Sequence, residues 1–297
     1  MTSVLKLGRI IATTAVFVLF VYLGTWRAHT PRSREATNAS QNDSVSSAEI
    51  VKPHPKDIRD LALALPDSLL PFCRGLKSLH EIALSFDACP TSGKNHFNKA
   101  IANILLQTKT PATVFLSGRW VEEDTAATLL LASDSLIELG NHSYTHPHMM
   151  IVSLDRMRRE LERTQKIITD LTGQVPFLFR APYGEFNDTL INVGKELGLV
   201  TVQFDVESGD PDTTFTAQRL IKWVTEKARN GSIIIMHIND RGWHTAQALP
   251  AIIQFLREKG YKLVKVSDLM KEVSESLPGG VVAHVEASGS ENPPKEQ

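Results

Sequence analysis

The chain has 297 residues, which is enough for one large domain or two small ones. Its hydrophobic content of 42% is that of an ordinary globular protein and provides for a sizeable core. The formal net charge of −1 argues against nucleic acid, or any other strongly charged polymer, as the main partner. The richest basic stretch, residues 156–166, is interleaved with Glu160 and Glu162 and is interpreted as the solvated face of a helix.

An uncharged, mostly apolar run extends from Ile10 to Trp26, after Lys6 and Arg9 and before Arg27. Its length lies near the lower end of the roughly 17–25 residues that cross a bilayer, and it is long for a signal-peptide core. No small-x-small cleavage pattern follows. Residues 1–27 are therefore predicted to be a signal anchor, with a signal peptide as the alternative. In either case the rest of the chain is expected to be exported, anchored in the inner membrane and facing the periplasm or cell exterior, or secreted.

Composition also divides the remainder of the chain. Residues 28–54 are rich in Ser, Thr, Asn and charge, lack apolar periodicity, and are predicted to be a flexible linker. Residues 276–297 contain three glycines and the Pro293-Pro294 pair, which predicts a disordered tail. The catalytic domain is therefore expected to span residues 55–275.

Within this domain, short apolar strands alternate with helical patterns. The predicted strands are Ile82–Phe86, Thr113–Leu116, Phe177–Phe179, Val200–Phe204, Ile233–Met236 and Tyr261–Val266. The clearest helix follows Ser153, a residue placed to cap it, and its apolar stripe consists of Leu154, Met157, Leu161, Ile168 and Leu171. Alternation of strands and helices predicts an α/β fold with parallel strands, either a βα barrel or an open sheet.

Five polar clusters stand at the ends of apolar runs, where barrels carry their functional residues. They are Ser85–Pro90, His142–Pro147, Arg180–Gly184, Asp205–Asp210 and Ile235–His237. A single His or Asp after a strand is more often a satisfied polar residue than a catalyst. Five such clusters in order indicate a functional site.

In these clusters the chain resembles the polysaccharide deacetylase family, the NodB-homology or carbohydrate esterase family 4 group, over residues 80 to about 270. Residues 142–147 are the most specific element, and Pro111–Leu116 is also typical of the family. The resemblance implies a deformed (β/α) barrel with an active-site groove and a bound divalent metal. It also implies hydrolysis of acetamido or acetyl-ester groups on sugars.

The candidate site residues fit that chemistry. His142 and His146 can donate imidazole nitrogens to one Zn²⁺-type ion, with Co²⁺ or another transition metal as alternatives, and such an ion acidifies bound water and polarises a carbonyl. By the resemblance, Asp87 is the general base that takes a proton from the metal-bound water, which is the nucleophile. His237 is then the general acid that protonates the departing nitrogen.

The resemblance also assigns three supporting residues. Arg180 orients Asp87 and keeps it ionised, because a nearby positive charge lowers a carboxyl pKa. Asp210 raises the pKa of His237 and fixes its tautomer. The backbone N–H of Tyr183 is the oxyanion donor.

The chain departs from the family in its first element. The family usually has two adjacent aspartates there, the second being the third protein ligand of the metal, and this chain has Ala88 at that position. Three outcomes are open: water takes the third place, Asp87 shifts onto the metal, or the site is degraded and still binds sugar. Cys89 is a conceivable soft ligand; a disulfide with Cys73 and a plain buried thiol are the alternatives.

A second departure is Pro211, which stands where the family often has a Trp that walls the groove. Trp243, a little beyond His237, is a candidate replacement platform for a sugar face. The alternative is a loop Trp packed on its own surface.

Together these features predict a metal-dependent hydrolase that removes acetyl groups from an N-acetylated cell-envelope polysaccharide, peptidoglycan- or chitin-like. The alternatives are an acetyl-ester or small-amide hydrolase on the same fold, and a catalytically weak glycan-binding pseudoenzyme. The expected partners are the polysaccharide and, through the N-terminal segment, the membrane. Nucleic acid is not expected to bind.

Overall fold

The computed structural model describes residues 57–90 and 96–278. The expected signal segment, all of the linker and nearly all of the tail lie outside the described residues. Within the two described ranges, none of the helices has the length and apolar character needed to cross a membrane.

In the described part of the chain, eight strands form one sheet, and the pairings between these strands are all parallel. The strands run in the order β5-β4-β3-β2-β1-β7-β6, and β8 pairs with the first half of β1. This curled sheet with helical crossovers confirms the deformed (β/α) barrel. The strands are β1 Glu81–Ala88, β2 Ala112–Leu116, β3 Ile137–Asn141, β4 Leu178–Phe179, β5 Val200–Thr201, β6 Val206–Glu207, β7 Ile233–His237 and β8 Lys262–Val264.

Helices cover the outside of the sheet. They are α1 Ile58–Leu63, α2 Lys99–Gln107, α3 Gly118–Glu123, α4 Thr125–Ala132, α5 Leu154–Thr172, α6 Asp188–Glu196, α7 Ala217–Lys227, α8 Thr245–Glu258 and α9 Val266–Ser276. The longest, α5, begins where the sequence predicted, because the Ser153 side chain accepts a hydrogen bond from the Arg156 N–H. It ends at Gly173, whose φ of 72° suits a residue without a Cβ.

Strand β1 lies at the centre of the molecule and is buried along its whole length. Successive side chains of a strand point to opposite faces. Leu84, Phe86 and Ala88 join the apolar layer beneath the helices. Ser85 and Asp87 face the other way, toward the interior of the curled sheet, where both contact Arg180.

The predicted limits of three strands were wrong. Strand β1, expected to end at Phe86, continues to Ala88. The strand expected at 200–204 ends at Thr201. The residues after it pair with Phe72 instead: Val202 forms an isolated parallel bridge with it, and the Gln203 N–H donates to Phe72 O over 2.9 Å. The strand expected to reach Val266 stops at Val264, because the Asp268 carboxylate accepts the Lys265 N–H and starts α9 there. Strands β3 and β6 were not predicted.

Candidate active site

A buried ion pair anchors the site at the carboxyl end of β1. Arg180, directly after β4, is 0% exposed, and its Nη1 donates to Asp87 Oδ1 over 2.9 Å. Its Nη2 donates to Ser85 Oγ over 2.9 Å, and its guanidinium lies 4.1 Å from the centroid of the Phe115 ring. Burial acts to raise the pKa of Asp87, but the positive charges of His142 and Arg180 outweigh it and hold that pKa below its usual value. Asp87 is therefore a fixed, ionised carboxylate.

His142 follows β3 and is held by the neighbouring strand end. Its Nδ1–H donates to the backbone carbonyl of Arg180 over 2.8 Å, so Nε2 carries the lone pair once the ring is neutral, the form that binds a metal. That Nε2 lies 3.5 Å from Asp87 Oδ2 and 3.5 Å from Cys89 Sγ. A ring whose Nδ1–H is bound to a carbonyl is the usual arrangement of a metal-binding histidine.

A tight turn brings His146 beside His142, with the two ring centroids 4.9 Å apart. Ser143 and His146 both have positive φ, 60° and 57°, which is uncommon for residues with a side chain. The buried side chain of Glu160 of α5, which is 6% exposed, stabilises the turn. Its carboxylate accepts the N–H groups of Tyr144 and Thr145 over 3.0 and 2.7 Å, and the Thr145 hydroxyl over 2.7 Å.

The interpretation of residues 156–166 as a solvated face was wrong at Glu160. This residue lies on the same side of α5 as Met157 and Leu161. Its position three residues after Met157 places the two side chains on one face of a helix, so the sequence already indicated burial of Glu160. Glu162, by contrast, is exposed as expected.

We expect Glu160→Gln to destabilise the fold by about 1–3 kcal/mol, because an amide removes one acceptor oxygen from a buried, fully bonded group. Metal retention should fall with it, since the turn positions His146. Denaturant unfolding and metal content measure the two effects. Glu162→Gln on the exposed side is the matched control and should change neither. Wild-type values for Glu160→Gln would show that the turn does not depend on this carboxylate.

A second charged pair faces the same cleft from β7. The Asp210 carboxylate accepts the backbone N–H of His237 over 2.6 Å and its ring Nδ1–H over 2.9 Å. Hydroxyls of Ser208 and Thr245 also donate to Asp210, over 3.0 and 2.7 Å. Burial acts to lower the pKa of His237, but the charge and hydrogen bond of Asp210 outweigh it and hold that pKa well above its ordinary value. The ring is therefore kept protonated, and the hydrogen bond from its Nδ1–H to Asp210 fixes its orientation.

These side chains line one cleft of about 230 Å³ at the carboxyl ends of the strands. Tyr183 also lines it, with a φ of 59° and half of its surface exposed, and its ring stacks on that of His148. Pro211 and Phe204 form part of the wall. Trp243 is 57% exposed and is not among the residues that line this cleft, so its role as a sugar platform stays a prediction.

The structure thus brings together the residues that the sequence selected from separate clusters: Asp87, His142, His146, Arg180, Tyr183, Asp210 and His237. It also adds Cys89, which lines the cleft and is 1% exposed. Cys89 and Cys73 are both free thiols, so the disulfide alternative is not realised. The Cys73 Sγ instead contacts Pro71 O, at 3.1 Å.

The donor set in this cleft fits a divalent metal. One nitrogen of each of His142 and His146, with Cys89 Sγ, all lie within 4.8 Å of one another. All three residues are buried, and the Nδ1–H bond of His142 to Arg180 O leaves its Nε2 as the nitrogen available to the group. A buried cluster of nitrogen and sulfur donors suits Zn²⁺ and its neighbours among transition metals.

Comparison with known proteins agrees with this geometry. The family model described as polysaccharide deacetylase matches residues 77–202. A peptidoglycan-N-acetylglucosamine deacetylase of Bacillus cereus is 29% identical over 66% of this chain and 70% of that protein. A bifunctional xylanase/xylan deacetylase of Cellvibrio japonicus is 35% identical over 60% of this chain and 26% of that protein. Of the first three curated relatives, this chain spans only 26% to 54% of the length.

Among solved structures, a carbohydrate esterase family 4 pseudoenzyme from Bacillus anthracis superposes with a TM-score of 0.60. It is 30% identical, and the match covers 67% of this chain and 68% of that one. A mutant of that protein is described as having restored enzymatic activity. The parallel barrel, the polar clusters at its strand ends and these matches agree: the chain belongs to the polysaccharide deacetylase family.

Proposed function

We propose that this protein is a metal-dependent hydrolase that removes acetyl groups from an N-acetylated polysaccharide of the cell envelope. The observation that carries the proposal is that one cleft contains two groups whose pKa values are shifted in opposite directions, a carboxylate with a lowered pKa and an imidazole with a raised one. Asp87 is kept ionised by Arg180 and His237 is kept protonated by Asp210, on the neighbouring strands β1 and β7. An ionised carboxylate and a protonated imidazole are the base and acid that amide hydrolysis requires.

Each residue has a defined task in this proposal. His142 and His146 would hold a divalent metal, which would act there as a Lewis acid toward the acetyl carbonyl and lower the pKa of bound water. Asp87 removes the proton from the attacking water, and Arg180 keeps that carboxylate oriented. The N–H of Tyr183, at the wall of the cleft, donates to the developing oxyanion. His237 then delivers its proton to the departing nitrogen.

The substrate class rests on one observation and one expectation. The Bacillus cereus relative bears the name of a peptidoglycan-N-acetylglucosamine deacetylase. The expected export of this chain would place the cleft beside such a polymer. Acetate release from N-acetylglucosamine oligomers, compared with acetylated xylan, tests this assignment. Faster release from the xylan would favour the acetyl-ester alternative, for which the Cellvibrio relative is the precedent.

A second candidate, a glycan-binding protein without turnover, is favoured by two findings. Ala88 replaces the family's usual metal-binding carboxylate, and the Bacillus anthracis relative is described as a pseudoenzyme. Binding of the oligomers without acetate release, at every added metal, would establish this alternative.

We also propose that the chain is held at the membrane by residues 10–26, which carry no charged side chain. Cell fractionation of the tagged full chain should place it in the membrane pellet after alkaline washing. Recovery in the wash would indicate a cleaved or unanchored protein.

The acid role of His237 predicts a shift in the pH profile of Asp210→Asn. Loss of the carboxylate charge removes the interaction that raises the His237 pKa, so that pKa falls. The protonated acid is then lost at lower pH, and the basic limb of the rate profile moves toward lower pH. Acetate release measured across pH tests this.

Asp240→Asn is the control for this experiment, since Asp240 is exposed and its side chain contacts His96 rather than His237. Its basic limb should match that of the wild type. An unchanged basic limb in Asp210→Asn, with a lower rate throughout, would make Asp210 a structural residue only.

A further inference from the structure

The end of strand β1 brings a thiol into the cleft where the family brings a carboxylate. Ala88 faces the apolar layer with Leu84 and Phe86 and is 0% exposed. The next residue, Cys89, returns to the side of Asp87, as alternation along an extended chain requires, and lines the cleft. The position expected to hold the third ligand therefore faces away from the site, and the residue after it faces in.

The Cys89 thiol lies among metal-binding side chains rather than among apolar ones. Its Sγ is 3.5 Å from His142 Nε2, and the sulfur and one nitrogen each of His142 and His146 lie within 4.8 Å of one another. Zinc–sulfur and zinc–nitrogen bonds of about 2.3 and 2.0–2.1 Å place the ligand atoms of a tetrahedral ion roughly 3.5 Å apart. The sulfur–nitrogen separation already equals that spacing.

The backbone around Cys89 is fixed by its neighbours. The Ser117 N–H donates to Ala88 O over 3.1 Å, and the Asn239 side-chain amide donates to Cys89 O. Ser117 and Asn239 are both fully buried. Such outer contacts hold a ligand in place before the metal arrives.

We propose that Cys89 is the third protein ligand of the metal, completing a Cys-His-His set with an open fourth position. Asp87 is not needed as a ligand, because its Oδ1 already accepts from Arg180, and it stays available as the base. Three protein ligands and one open position are the pattern of catalytic zinc sites. A thiolate also makes the site select Zn²⁺ or Co²⁺ over Mg²⁺ and Mn²⁺. The catalytic meaning of this ligand rests on the proposed function, but the ligand itself is tested without substrate.

Cobalt(II) titration of the full chain is the test, because thiolate ligation of Co²⁺ produces a charge-transfer band in the near ultraviolet. The wild type should bind one Co²⁺ with this band, and Zn²⁺ should displace it. Cys73→Ser, which alters the exposed thiol outside the cleft, should give the same spectrum. Cys89→Ser should lose the band and bind Zn²⁺ at least about tenfold more weakly, since even contacts behind a ligand alter affinity by that much.

Three results would overturn the proposal: Co²⁺ binding by the wild type without the band, no metal binding by the folded wild type, or the band persisting in Cys89→Ser. Circular dichroism and thermal unfolding report whether Cys89→Ser has folded. If it has not, Cys89→Asp supplies a carboxylate in place of the thiolate and should bind the metal without the band. A persisting band in Cys89→Asp would equally refute the assignment.

Acetate release separates this proposal from the proposed function. A wild type with the band but no acetate release would keep the Cys89 ligand and refute the hydrolase. Undiminished metal affinity and acetate release in Cys89→Ser would refute the ligand and leave the hydrolase standing.

Discussion

His142→Ala is expected to lose its metal and its acetate release together, with metal affinity reduced by at least about 100-fold. Changes to residues behind a metal ligand already cost 10–100-fold, and here a buried ligand itself is removed. The ring is held by the Arg180 carbonyl with its Nε2 toward Cys89 and Asp87, so the substitution removes a donor that is already oriented. His146→Ala should behave in the same way. Metal content after dialysis and acetate release measure both effects.

His80→Ala is the matched control. His80 immediately precedes β1, at the end of the strand opposite the cleft, where it is exposed and its ring stacks on that of Tyr261. Its removal should leave metal content and acetate release unchanged. Unaltered metal content in His142→Ala and His146→Ala would remove both histidines from the metal site.

Ala88→Asp should destabilise the fold by several kcal/mol rather than repair the site. Its side chain would enter the apolar layer formed with Leu84 and Phe86, and a buried carboxylate without a partner carries a penalty of that order. Restoring the family's usual residue should therefore not tighten metal binding. Denaturant unfolding and metal titration of the variant check the two statements.

Ala126→Asp provides the comparison, because Ala126 is exposed in the first turn of α4, where a negative charge is tolerated. Its stability should stay within about 0.5 kcal/mol of the wild type. If Ala88→Asp were as stable as the wild type and bound metal more tightly, position 88 would face the metal and the place assigned to Cys89 would be wrong.

The central strands and the polar clusters at their ends could be predicted because each has a local pattern. Strands β1, β2 and β7 are mostly apolar runs; Asp87 and His237 lie at the carboxyl ends of β1 and β7, and Ser117 directly follows β2. Since parallel strands share one carboxyl edge, these residues had to approach one another. The prediction of the site followed from that topology together with the family resemblance.

Strand β3 was missed because its sequence contains two residues that disfavour a strand. Glu138 lies inside it, and its carboxylate accepts hydrogen bonds from groups distant in the sequence, among them the Thr113 hydroxyl and the Ser267 N–H. Gly140 is required there because a Cβ at that position would lie 2.5 Å from the Phe115 ring. Both reasons come from tertiary contacts that a local pattern does not contain.

Cys89 was left with open alternatives because the end of β1 was placed at Phe86. With the strand ending at Ala88, alternation assigns Ala88 to the core and returns Cys89 to the side of Asp87. An error of two residues in the length of β1 therefore left open whether position 88 or position 89 faces the proposed metal site. Glu160 was predicted to be solvated because charged residues surround it in the sequence. It lies on the buried side of α5.

The most direct test of the account is a metal titration of acetate release from N-acetylglucosamine oligomers, using the metal-stripped full chain. Release should begin with added Zn²⁺ or Co²⁺ and saturate near one ion per chain. Asp87→Asn should bind the same ion but release acetate about 10²–10⁴-fold more slowly, the usual contribution of a general base. Acetate release that is independent of added metal, or absent at every metal concentration while the oligomers bind, would contradict it.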